Sequence, residues 1–176
     1  DFCLSRGLGD VYKRQVQARL TQHAQTQRPS LLHSGVALHS LRAVPLSALR
    51  DVDQALPHAP LHIHVAEQDK EVQDCLVHHG HRPIEWLAEQ LPLNARWHLV
   101  HATHATPEEL RALQACGASV VLCPTTEANL GDGRFDWVTA LSLGLKGSVG
   151  TDSHVNRNWT EAVPYTHLTL PTICRV

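Results

Sequence analysis

The stretch LHIHVAEQ, residues 61–68, sets His62 and His64 two apart and places Glu67 three beyond the second. Neutral imidazole is a common metal ligand, and a carboxylate beside such a site can carry protons. Three later runs hold residues of the same kind: LVHATH with His101, LCPTTEANLGDG, and GTDSH with Asp152. HSLRAV, with His39 and Arg42, precedes them all. Histidines, a glutamate and an aspartate in this combination suit metal-assisted hydrolysis.

The intervening sequence must bring these residues together, and it alternates in a regular way. GVALHS (35–40) is strand-like, and PLSALRDVDQAL (45–56) has helical spacing. PLHIHVAE (60–67) predicts the next strand, QDKEVQDCLVHHG (68–80) a helix capped by Gly80, and RPIEWLAEQL (82–91) a helix with Pro83 in its first turn. RWHLVHA (96–102) is a third strand. TPEELRALQACG (106–117) carries a full capping signature, with Thr106, Pro107, Glu109 and Gly117 in the expected places. ASVVLCP (118–124) is a fourth strand, followed by a loop, the helical stretch FDWVTALSLG and a fifth strand in KGSVGTDSH (146–154).

Such β-α alternation implies a parallel sheet with right-handed crossovers. It fits either a small open sheet or about five-eighths of a (β/α)8 TIM-type barrel, whose usual length is about 250 residues. His39, His64, His101 and Asp152 each fall at the C-terminal end of a different predicted strand. An open sheet uses mainly its switch point, whereas a barrel gathers residues from many strand ends, so the barrel is expected.

The chain has 176 residues, 43% hydrophobic and 18% charged, as expected for a globular domain. Its formal net charge of −2 gives no reason to expect a nucleic-acid partner, and no apolar run has the ~18 residues a membrane helix needs. Five cysteines, with no C-x-x-C pair among them, fit reduced thiols in a cytoplasm. Methionine is absent, so the chain is expected to begin inside a longer reading frame. Its ends, residues 1–15 and 164–176, lack a period that continues into their neighbours and resemble adaptor-like sequence. The barrel domain is therefore expected over residues 16–163.

HSLRAV, HIHVAEQ, LVHATH, LCPTTEANLGDG and GTDSH, in that order, resemble the second half of the amidohydrolase superfamily. Within it they are similar to the formimidoylglutamate deiminases, which hydrolyse N-formimino-L-glutamate to N-formyl-L-glutamate and ammonia in histidine degradation. Members hold zinc with an H-x-H pair on the first barrel strand, a histidine on the fifth and an aspartate on the eighth. Only three strands follow LHIHVAEQ, and they carry the sixth-, seventh- and eighth-strand motifs, so LHIHVAEQ takes the fifth place and the chain covers about strands 4–8. His62 and His64 then share the interior face, with His64 about 6–7 Å nearer the mouth at about 3.3 Å per residue.

The resemblance implies His64 and Asp152 as zinc ligands, with His62 a supporting group one layer below. It implies catalytic roles for Glu67 (proton transfer), His101 (stabilising charge at the reacting carbon) and Asp152 (taking a proton from water). His39 and Arg42 are implied beside the substrate, where a guanidinium suits a carboxylate. A small carboxylate-bearing substrate, one zinc per active site and a homo-oligomeric parent are further implications. Other readings stay open: Glu67 as an acid favoured by a helix N-terminus, His101 as an ordinary buried histidine, Asp152 as a turn residue, and Arg42 as a salt-bridge arginine.

The chain departs from the family in one respect: nothing upstream of residue 34 resembles the H-x-H strand. The expectation is a fragment that is inactive alone, holds zinc poorly and is prone to aggregate at exposed sheet edges. A deaminase for guanine or cytosine, or a non-catalytic degenerate barrel module, are the alternatives. His78, His79 and His81 read as a solvated helix end, LGDG (130–133) as a turn, and Cys123 as a thiol with no base beside it.

Overall fold

A computed structural model describes residues 35–153 and 155. Residues 1–15 and 164–176, the outer parts of the expected barrel domain, Cys3 and Cys174 lie outside the described residues. The chain divides into two compact units, one through His62 and one from Ile63.

The first unit contains strand β1 (Val36–Ser40), helix α1 (Leu46–Ala55) and the start of strand β2 (Leu61–Val65). Val36 N–H donates to the Pro60 carbonyl at 2.9 Å, bringing the two strands together at their beginnings. Gly35 permits this approach, because a Cβ there would lie 2.7 Å from that carbonyl oxygen. Leu38, Leu49 and Leu61 are buried and supply the apolar part of this unit.

The second unit continues β2 into helices α2 (Asp69–His79) and α3 (Pro83–Gln90) and strand β3 (Trp97–His101). Helix α4 (Pro107–Cys116), strand β4 (Ser119–Leu122), helices α5 (Pro124–Leu130) and α6 (Trp137–Ser142) and strand β5 (Gly147–Val149) follow. The strand order is β1-β2-β3-β4-β5. β3 and β4 pair in parallel with Leu99 opposite Val120, and β4 and β5 with Val121 opposite Ser148. An order with every strand beside its sequence neighbour has no switch point, which is the winding of a barrel segment and not of a doubly wound sheet.

Alternation along the strands separates two faces. Leu61, Ile63 and Val65 are buried while His62 and His64 between them are half-buried. On β3, Trp97 and Leu99 are buried and His98 is half-buried, its Nδ1 2.6 Å from Ser119 Oγ on β4. Ile84, Leu87, Leu110 and Leu113 from the helices are also buried. On β2 this leaves His62 and His64 together on the face opposite Leu61, Ile63 and Val65.

The capping signature of α4 forms as read. Glu109 N–H donates to Thr106 Oγ1 at 3.2 Å, Thr106 N–H donates to the Glu109 carboxylate at 2.8 Å, and Gly117 closes the helix at φ 79°. Thr106→Ala is expected to cost about 1 kcal/mol, the usual value of an N-cap hydroxyl, read from the urea midpoint.

One expectation is corrected. The segment after Cys123 was expected to be a loop, but Pro124–Leu130 is helical. Pro124 occupies the first turn, the Glu127 carboxylate accepts Cys123 N–H at 2.8 Å, and Gly131 ends the helix at φ 72°. Threonine, asparagine and glycine obscure the helix in the sequence, since each favours turns when read singly.

Candidate active site

Among the described residues, four that are not glycine adopt left-handed backbone conformations: Ala66 (φ 50°), His101 (φ 69°), Ala102 (φ 50°) and Asp152 (φ 58°). Each costs about 1–3 kcal/mol and persists only where surrounding bonds hold it. All four lie at or just past the C-terminal ends of β2, β3 and β5, where the predicted site residues stand.

The bonds that hold them are present. The buried Glu71 carboxylate, in the first turn of α2, accepts Ala66 N–H at 3.1 Å and Glu67 N–H at 3.0 Å. Ala102 N–H donates to the Val65 carbonyl at 3.1 Å, and His104 N–H to the Ala66 carbonyl at 3.0 Å. The ends of β2 and β3 are thus tied to one another, and Glu67 is turned toward His101.

His101 is 1% exposed. Its Nδ1 lies 3.1 Å from Glu127 Oε1, and its Nε2 lies 3.6 Å from Glu67 Oε1, an ion-pair distance too long for a hydrogen bond. Its ring stacks on that of His64, with centroids 5.4 Å apart. Burial pulls the imidazole pKa down. The hydrogen bond to Glu127 and the charges of Glu67, Glu127 and Asp152 outweigh it, so the net shift is upward.

His64, His101 and Asp152 each offer a ligand atom, and these atoms lie within 4.8 Å of one another. Two imidazoles and a carboxylate are a donor set suited to zinc, so the residues fit a metal of that kind. His101 enters this group beside the two ligands expected from sequence. Asp152 is exposed, and its neighbours are tied to α5: Thr126 Oγ1 donates to the Thr151 carbonyl at 3.2 Å and lies 3.0 Å from Ser153 Oγ.

Of the residues named from sequence, the structure brings His64, Glu67, His101 and Asp152 together in the second unit. His39 and Arg42 lie in the first unit, both exposed, with His39 Nδ1 2.9 Å from Ser40 Oγ. Glu71, Thr126 and Glu127 were missed. The available signal was a carboxylate or hydroxyl in the first turn of each helix that follows a site strand, a place where acceptors are favoured.

The features set aside behave as ordinary surface or core. His78 and His79 are exposed at the end of α2, where His79 stacks on Trp86 at 4.4 Å. The Cys123 thiol is pushed up to about 12 by burial and then by the charges of Asp152 and Glu127, and that of Cys75 to about 11 by burial and then Glu71 and Glu109. Thiolate is the reactive form, so both should be alkylated by iodoacetamide at pH 8 at least about tenfold more slowly than the half-buried Cys116. Peptide mapping by mass spectrometry reads the difference.

Parallel β-α units with histidines and an aspartate at the strand ends define a class, and the comparisons agree with it. The chain belongs to the amidohydrolase family, whose profile matches residues 12–169. It is 47% identical over 129 residues to formimidoylglutamate deiminase of Pseudomonas aeruginosa, covering 72% of this chain and 28% of that protein. A crystal structure of an amidohydrolase from Brucella melitensis superposes with a TM-score of 0.71 at 47% identity, over 77% of this chain and 30% of that one. An adenosine deaminase from Xanthomonas campestris with bound zinc superposes with a TM-score of 0.69 at 28% identity, over 80% and 33%. The chain thus spans about a third or less of the length of these relatives.

Proposed function

We propose that this chain is the C-terminal part of the catalytic barrel of a zinc-dependent deiminase acting on N-formimino-L-glutamate, with N-formyl-L-glutamate and ammonia as products in histidine breakdown. The observation that carries the reading is the convergence of His64, His101 and Asp152 with Glu67 set against His101. The identity to the Pseudomonas aeruginosa deiminase supports the substrate.

His64 and Asp152 would hold the ion. When bound, it would supply hydroxide near neutral pH by lowering the pKa of a water far below its bulk value, to about 7. Glu67 and Asp152 are the carboxylates that accept and return protons, at the water and at the departing ammonia. His101, nearly buried and flanked by carboxylates that favour its protonation, stabilises negative charge on the tetrahedral formimidoyl carbon once Nε2 has accepted a proton. Arg42, on sequence grounds, is the group for a substrate carboxylate, with His39 near it.

The test is a chimera in which residues 16–163 replace the matching part of the Pseudomonas aeruginosa deiminase. Ammonia release from N-formimino-L-glutamate is the expected result, and preferential release from guanine, cytosine or adenosine would overturn it. The 176-residue chain by itself is expected to show no turnover and only weak zinc binding by calorimetry, because His64 and Asp152 supply two ligands where such sites need three or more. His101→Ala should leave that weak binding unchanged, and His64→Ala should abolish it. A tight one-to-one complex lost on His101→Ala would instead make His101 a ligand.

A further inference from the structure

Among the described residues, His101 has carboxylates against both ring nitrogens, and the two contacts are not equivalent. Glu127 Oε1 is at hydrogen-bonding distance from Nδ1, 3.1 Å, while Glu67 Oε1 stands off Nε2 at 3.6 Å. A carboxylate accepts and cannot donate when ionised, so the ring nitrogen facing Glu127 must carry the proton. Glu127 itself has little freedom. It is buried on α5, and the same Oε1 receives Cys123 N–H at 2.8 Å. The adjacent Thr126 ties the 151–153 segment to the same helix turn.

We propose that Glu127 is a positioning residue that acts through His101: anchored by Cys123 N–H, it holds the neutral imidazole as the Nδ1–H tautomer and turns Nε2 toward Glu67. A histidine with one nitrogen committed to a carboxylate presents the other in a set protonation state and direction, which is how an outer carboxylate tunes a working imidazole. Without Glu127 the carboxylates left beside the ring would be Glu67, 3.6 Å from Nε2, and Asp152, whose oxygen lies within 4.8 Å of a ring nitrogen. The preferred tautomer would then reverse, leaving Nε2 as a donor to Glu67.

The inference rests on the reading of His101 as a working residue of the deiminase site, but its test does not depend on the substrate. The experiment is ¹⁵N NMR of the histidine rings in the ¹⁵N-labelled 176-residue chain, at a pH where the ring carries one proton. The His101 signals are identified by their loss in His101→Gln. The expected result is a protonated Nδ1 and an unprotonated Nε2 in the wild type. Glu127→Gln, whose amide oxygen can still accept both N–H groups, should keep that pattern. Glu127→Leu should lose it, with Nε2–H becoming the major form while backbone signals of α2 and α3 stay in place. An Nε2–H ring in the wild type, or an unchanged tautomer in Glu127→Leu, would overturn the proposal. Should the leucine variant not fold, the wild-type tautomer decides alone. A failed tautomer test leaves the substrate assay of the chimera standing, and a failed substrate assay leaves the tautomer result standing.

Discussion

Glu67→Gln, introduced into the completed deiminase chimera, is expected to lower kcat for ammonia release by about 10²- to 10⁴-fold with KM changed little, the usual loss when a positioned proton carrier is removed. Glutamine has the size of glutamate, and the loop that presents it is held by backbone bonds rather than by the side chain. Ala66 and Glu67 both donate N–H to the buried Glu71, so the exchange leaves the left-handed turn after β2 intact. What it removes is a carboxylate 3.6 Å from His101 Nε2, able to take a proton and give it back. An amide in that place can donate or accept a hydrogen bond but cannot transfer the proton. Steady-state kinetics with N-formimino-L-glutamate read the split, and a kcat within about threefold of the parent would remove Glu67 from the proton path.

The second large effect is on stability. Arg82→Met is expected to destabilise the chain by about 3 kcal/mol, the lower end of what breaking a buried ion pair costs. Arg82, at the start of α3, donates Nε–H to Glu109 Oε2 at 3.1 Å and Nη2–H to the His104 carbonyl. The Glu109 side chain is 1% exposed and that of Arg82 23%, so solvent cannot replace the guanidinium at the carboxylate. Glu109 keeps its bond from Thr106 N–H, which is why the lower figure applies. Its Oε1 already lacks a partner, so the carboxylate has no reserve bond to fall back on. Urea titration monitored by circular dichroism measures the loss, and the double variant Arg82→Met/Glu109→Gln should recover part of it by removing the orphaned charge. A loss below about 1 kcal/mol would mean that water reaches Glu109 after all.

Much of this architecture was readable along the chain because its causes are local. Thr106, Pro107, Glu109 and Gly117 start and stop α4 through contacts three or four residues apart. The alternation of LHIHV sets two histidines on one face of β2 and three aliphatic side chains on the other, whatever lies beyond. The short helix after Pro124 was not legible. Its stability comes from Glu127 reaching back to Cys123 N–H and from Thr126 bonding the distant 151–153 segment.

The sequence by itself determined which residues with chemistry stand at the strand ends and in what order, since strand period and helix caps act within a few residues. Tertiary structure decided what those residues meet. His101 lies 26 residues from Glu127 along the chain, and Thr126 lies 25 from Thr151. Parallel pairing of β3 with β4 and β4 with β5 sets those distances, and the buried Glu71 carboxylate and the Ala102-to-Val65 backbone bond hold left-handed turns that local preference alone disfavours. A pair of histidines in LHIHV is a local fact. That His64 stacks on His101 beside two glutamates depends on how the strands register.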